Sequence, residues 1–135
     1  TTGTTTTTTD SPLFHISHNQ FAYNVGNDLV LMNVNNALVS NNRFTTQYEQ
    51  SACIECMDSD MVQISQNRFV ELVHDSLMWF NYCSNVNVTN NQFASNTIKN
   101  GMVSSVGTRN LEISDNHFTQ NRAAFIAKVS DIDIG

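Results

Sequence analysis

Apolar and polar residues alternate in short runs along this chain: Val62 and Ile64 flank Gln63, Val86 and Val88 flank Asn87, and Leu111 and Ile113 flank Glu112. A period of two is the mark of a β-strand with one buried face. The runs also recur. Aligned on a phenylalanine, they read FHISHNQF to Phe21, ALVSNNRF to Phe44, VQISQNRF to Phe69, VNVTNNQF to Phe93 and LEISDNHF to Phe118, at separations of 23, 25, 24 and 25 residues. Repeats of this length indicate a solenoid, in which each unit leaves an apolar face that only a neighbouring unit covers.

Two further positions are fixed in every copy. A hydroxyl follows the second apolar residue (Ser17, Ser40, Ser65, Thr89, Ser114), and an amide stands two places before each phenylalanine (Asn19, Asn42, Asn67, Asn91, Asn116). If units stack at strand spacing, about 4.8 Å, each amide reaches the one above and the one below. The chain also has to bend there, and Asn tolerates the left-handed backbone that a tight corner needs. The amides therefore read as an inward structural ladder, and Phe21, Phe44, Phe69, Phe93 and Phe118 as a column of rings beside it.

The remainder of each unit supplies another strand. Counting from the preceding Phe, its inward residues are Val30, Met32 and Val34; Ile54 and Cys56; Met78, Phe80 and Tyr82; Met102, Ser104 and Val106; and Phe125, Ala127 and Val129. The outward ones are Leu31 and Asn33, Cys53 and Glu55, Trp79 and Asn81, Val103 and Ser105, and Ile126 and Lys128. The offset drifts by a residue or two, and a slip of one exchanges inside for outside. Short polar connections such as Ser84-Asn85 and Gly107 to Asn110 follow. Three short strands and three bends per turn, over about five coils, make an all-β solenoid the expected fold, and the pattern resembles a right-handed parallel β-helix.

The pattern I-x-x-N-x-F over residues 13–135 resembles the degenerate repeats of the pectate-lyase-like parallel β-helices. An F-x-x-N element at Phe21–Asn24, Phe93–Asn96 and Phe118–Asn121 is similar to that of the polymorphic outer-membrane autotransporter passengers, whose Gly-Gly-Ala-type partner motif is missing here. Enzymes of the first group act on acidic polysaccharides with calcium held by clustered carboxylates and an Arg or Lys base beside it. Here the one acidic cluster is Glu55 with Asp58 and Asp60, which is where calcium is expected if it binds. Lys128 lies three coils from Glu55, on the order of 14 Å, too far for one reacting atom to meet both. Arg109 is two coils away. His74 and Asp75 are adjacent in an expected connection, where side chains diverge into solvent. No catalytic residue is assigned.

Composition narrows the partners. Charged residues make up 13% of the chain and 19 residues are Asn, so solubility rests on amides and hydroxyls. A net charge of -6 with six Lys plus Arg offers no basic patch for phosphates, which argues against nucleic acid. No apolar run approaches the roughly 18 residues of a membrane span. Cys53, Cys56 and Cys83 are odd in number and read as small core residues; a zinc site would have to recruit His74.

The ends break the pattern. Residues 1–12 contain eight Thr in the first nine positions, either a stalk or an atypical first strand, before the repeats of 13–135. The closing VSDIDIG restarts a repeat and stops halfway. A longer parent protein, or ends closed by another copy, would account for that.

Trp79 is the one large residue with two meanings. Facing outward it makes an apolar platform beside Asn81, with Glu55 one coil below and Val103 one above, suited to stacking on a sugar ring. A register slip makes it core. Three functions are expected from these features: an extracellular or cell-surface segment that binds glycans or other chains along its strand faces; part of a polysaccharide lyase or hydrolase whose catalytic residues lie elsewhere; or a self-assembling filament subunit.

Overall fold

A computed structural model describes residues 5–7, 14–48 and 52–130. The rest of the Thr-rich opening, Pro12 and the final DIDIG lie outside the described residues. Every regular element among those described is a strand. Strand β1 is Thr5–Thr7. The first full coil is β2 (Phe14–Ser17), β3 (Gln20–Ala22) and β4 (Leu29–Met32). The second is β5 (Asn35–Ser40), β6 (Arg43–Tyr48) and β7 (Ala52–Met57). The third is β8 (Asp60–Ser65), β9 (Arg68–His74) and β10 (Ser76–Asn81). The fourth is β11 (Ser84–Thr89), β12 (Gln92–Ala94) and β13 (Thr97–Val106), and the fifth is β14 (Arg109–Ser114), β15 (His117–Thr119) and β16 (Arg122–Ser130).

Equivalent strands pair in parallel, coil on coil. The first face is a five-stranded sheet in the order β14-β11-β8-β5-β2. The second face (β3, β6, β9, β12, β15) and the third (β1, β4, β7, β10, β13, β16) join into an 11-stranded sheet because β13 turns the corner between them. It pairs with β9 through Thr97 and Ile98 and with β10 from Val103 onward. Parallel strands joined by crossovers within one sheet take the right-handed sense, and the architecture is a right-handed β-helix of about five turns.

Three columns of buried groups hold the coils in register. The Asn67 backbone N–H and its Nδ2 both donate to Asn91 Oδ1, at 2.9 and 3.2 Å, while Nδ2 also donates to the Val39 carbonyl at 2.8 Å. The same arrangement links Asn19 to Asn42, Asn42 to Asn67 and Asn91 to Asn116. From Asn42 onward each amide thus satisfies two backbone groups of the preceding turn, an N–H and a carbonyl, which no apolar residue could do at a buried corner. Beside it, the five phenylalanine rings stack nearly parallel, with centroids 4.8 to 5.0 Å apart. That separation exceeds the roughly 3.5–4.0 Å of direct carbon contact, so the rings are slid past one another, as their quadrupoles favour.

The F-x-x-N element builds a second, shorter ladder: Asn96 N–H donates to Asn121 Oδ1, and Asn121 Oδ1 also takes Asn96 Nδ2 at 2.9 Å. Asn96 Oδ1 in turn accepts the Leu72 N–H. Asn24 departs from this, donating to Asp28 instead. At the third corner small side chains replace the amide. Ser59 Oγ accepts the Val34 N–H at 3.0 Å and Thr108 Oγ1 accepts the Cys83 N–H at 3.3 Å.

Two expectations need correction. The left-handed residue at the first corner is the one before each ladder amide: His18, Asn41, Gln66, Asn90 and Asp115 all have φ between 55 and 59°. The ladder Asn keeps ordinary backbone so that its side chain can turn inward. A second left-handed column stands two residues after each Phe, at Tyr23, Thr46, Glu71, Ser95 and Gln120.

The inside and outside of the third face also differ from the count. Leu29, Ile54, Met78, Val103 and Ala127 share one row. The first four of them are buried. Their distances from the preceding Phe are 8, 10, 9, 10 and 9 residues, so no single offset serves all coils. Leu31 is therefore interior and Val30 and Met32 face out; Val103 is interior and Ser104 faces out. The slip in the fourth coil is a bulge in β13, where Ile98 pairs with Ala123 but Gly101 with Phe125. Tyr82 is an exposed bend residue at φ 52°, and Cys53 and His74 are buried.

Candidate functional site

The outward surfaces of the first and third faces differ in chemistry. On the first, one row runs His15, Leu38, Gln63, Asn87, Glu112, as expected for a solvated sheet. On the third, one row runs Val30, Glu55, Trp79, Ser104, Lys128, and the next Met32, Met57, Asn81, Val106. Apolar and polar residues are mixed in these two rows, and Val30, Met32, Met57 and Val106 stand on the outward side with Trp79. Valine and methionine gain nothing from facing water, so a sheet face of this kind suits a bound surface.

Trp79 stands at the centre of that face. It is 37% exposed, and its Nε1–H donates to Asn81 Oδ1 at 2.7 Å. Asn81 lies two residues along on the same side of the strand, so the bond draws the indole along β10 and leaves a broad apolar surface open. A groove of about 150 Å³ opens beside the ring, lined by Ser76, Asn100, Ser104 and Lys128 among others. Ser76 and Ser104 share a hydrogen bond of 2.7 Å, a hydroxyl pair at the groove's floor.

Glu55 flanks Trp79 on the side away from the groove, and its Oε2 accepts a hydrogen bond of 3.1 Å from Asn27 Nδ2. Trp79, Asn81 and Glu55 are thus brought together, but the neighbour on the next coil is Ser104, not Val103. Ser104, Asn100 and Ser76 were missed by sequence reasoning. The signal available was Asn100-Gly101: a glycine inside a strand often marks a bulge, and a bulge re-aims the side chains beyond it.

The acidic residues do not converge. Asp60 Oδ1 accepts from Asn85 Nδ2 at 2.8 Å, Asp58 is exposed at a left-handed bend, and Glu55 is engaged with Asn27. Among the described residues no group of three or more His, Cys, Asp or Glu side chains is placed to hold a metal ion. His74 ends β9 inside the coil, and Asp75 faces Lys99 at 3.9 Å, so the two neighbours point different ways. Cys53-x-x-Cys56 likewise divides: Cys53 Sγ donates to Asp28 Oδ2 at 3.0 Å, and Cys56 meets Cys83.

Residues 7–133 match the family described as the right-handed β-helix region, and the chain belongs to that family. No curated protein and no solved structure matches it. Among the described residues no helix is long and apolar enough to cross a membrane.

Proposed function

We propose that this chain is a non-catalytic segment of an extracellular or cell-surface protein that binds glycan on the third face, with Trp79 as the stacking platform. The observation that carries the reading is the outward indole, tethered by Asn81 and bordered by a groove of hydroxyl, amide and ammonium groups. A pyranose ring offers the matching surfaces: C–H groups for the indole face and hydroxyls for Asn100, Ser104 and Lys128. The mixed apolar and polar rows that run along the coil axis on either side of Trp79 suit a linear chain more than a single sugar.

Trp79 is the only tryptophan in the chain, which makes it its own reporter. Titration with neutral and acidic oligosaccharides is expected to shift its fluorescence, and a glycan array is expected to lose its signals with Trp79→Ala. Since nearly two thirds of Trp79 is covered, that substitution should cost roughly 1–3 kcal/mol, and binding is compared in protein shown to be folded. Array binding that survives Trp79→Ala, in protein shown to be folded, would dismiss the platform.

A further inference from the structure

We infer that Cys56 and Cys83 form a dithiol that closes into a disulfide stapling the second coil to the bend that ends the third, with a small-molecule disulfide as electron acceptor. This stands on a different observation from the glycan reading and does not depend on it. The two sulfurs are 3.5 Å apart, both residues are buried, and both thiols are free. Closure to about 2.05 Å asks for a displacement of about 1.5 Å, within the reach of side-chain rotation at a bend. Cys56 sits on β7 opposite Phe80, and Cys83 comes three residues after Phe80, past the left-handed Tyr82.

The corner column places Cys83 beside Cys56 for such a role. Its equivalents, Ser59 and Thr108, accept a backbone N–H from a neighbouring coil, as Thr108 does from Cys83 itself. The Cys83 sulfur fills the same place, with the Ser59 backbone hydrogen-bonded to it, and it also points to its own coil's Asn81 carbonyl, to the Cys56 carbonyl and to the Cys56 sulfur, at 3.4 to 3.5 Å. A hydroxyl would complete the column as well as this thiol does; a thiol adds the capacity to bond covalently across to Cys56. Cys53 has no such neighbour, since its sulfur is committed to Asp28.

Chemistry orders the two sulfurs. Contact with Cys56 lowers the pKa of Cys83, and the same contact together with burial raises that of Cys56. Cys83 is then the first nucleophile. Its thiolate attacks one sulfur of the acceptor R–S–S–R, whose S–S bond breaks and releases RS⁻, which takes up the proton Cys83 lost. Cys56, on losing its own proton, attacks the Cys83 sulfur of the mixed disulfide and expels the second RS⁻. Two thiols are oxidised, one acceptor disulfide is reduced to two RSH, and no further electrons are needed. Because both sulfurs are buried, the acceptor enters when the bend at Tyr82 opens.

The test equilibrates the folded chain with oxidised glutathione, quenches with an alkylating agent under denaturing conditions, and maps the peptides. The expected product has lost two hydrogens, carries one alkyl group, on Cys53, and links Cys56 to Cys83. Its thermal midpoint should exceed that of the reduced chain by about 10 °C, since the staple restrains the unfolded state over a loop of moderate length. Cys83→Ser, which places a residue already used at that corner, should fold and abolish the link; Cys53→Ser should leave it intact. Three alkylated cysteines, a bridge that includes Cys53, a product stalled as the glutathione adduct, or a bridge that lowers the midpoint would each overturn the inference.

Discussion

At the level of single residues, two asparagines one position apart do different work. Asn67 is 1% exposed, and its side chain serves Asn42, Val39 and Asn91 at once. Asn90, next to the equivalent amide Asn91, is exposed and stands at φ 56°. Asn67→Ala strands the buried Asn42 N–H and the Val39 carbonyl, and is expected to cost about 3 kcal/mol or more in urea unfolding. Asn90→Gly keeps the backbone shape and should stay within about 1 kcal/mol of wild type. Equal costs would mean that the corner is held by its backbone conformation and not by the amide. Cys53 yields a separate expectation. Burial first, and the Asp28 carboxylate second, push its thiol well above the usual range. In the unfolded chain that thiol ionises near pH ~8.5, so above this pH the folded state keeps a proton the unfolded state has lost. The stability contributed by the protonated thiol is fully present below that pH and declines above it. Under reducing conditions wild type should lose up to ~1.4 kcal/mol per pH unit between about pH 9 and 10 relative to Cys53→Ser, which retains a donor for Asp28 without titrating there. Parallel stability curves for the two proteins would show that Cys53 is not held protonated.

Among the strands, β13 is the one whose shape decides the site. Its extra residue turns Ser104 outward beside Trp79, and Gly101 makes the bulge compatible with close packing on β16. A Cβ at position 101 would lie 3.0 Å from the Lys128 N and 3.0 Å from the Val103 carbonyl oxygen, both backbone atoms. Gly101→Ala should therefore force β13 and β16 apart, costing roughly 1–3 kcal/mol and speeding amide exchange in β16 before any change reaches β8. Uniform loosening, or none, would show that the bulge absorbs the methyl group. The same bulge marks the boundary of what the sequence shows. Phe69 and Asn67 were legible because their constraints recur on every turn, and a column tolerates no exception without a gap or an orphaned N–H. Trp79 could be placed on the third strand, with Glu55 and Asn81 near it. Which of Val103 and Ser104 stood beside it could not be read, because corner length varies from coil to coil and one added residue reverses the parity of every later position in the strand. For the same reason Leu31 and Val30 exchange places. The left-handed positions were misplaced by one because Asn is suited both to a tight bend and to an amide ladder; at Gln66 the bend is taken by a residue with no such preference.

Across the whole molecule, cohesion is local in one dimension. Among the described residues each coil pairs only with the coil before and after it, the Asn and Phe columns pass through all five, and the corner column links the second, third and fourth. The Lys99–Asp75 ion pair adds little to this, being 3.9 Å long and open to solvent on the lysine side, which leaves it little weight after screening. A stack of this kind is described by the stability of each turn plus a coupling between neighbours. Coupling should accordingly be strong between adjacent ladder positions and vanish beyond them. In Asn42→Ala the side-chain bond from Asn42 Nδ2 to Asn67 Oδ1 is already gone, so adding Asn67→Ala breaks fewer intact bonds than it does in wild type. The double variant is expected to be less destabilised than the sum of the singles, by about 1 kcal/mol. Asn42→Ala with Asn116→Ala shares no partner, since Asn116 donates to Val88 and accepts from Asn91, and that pair should add to within about 0.5 kcal/mol. Double-mutant cycles in urea measure both quantities on the same scale. If the distant pair couples as strongly as the adjacent one, the helix behaves as a single rigid rod whose turns cannot loosen independently, and the nearest-neighbour account of its cohesion is wrong.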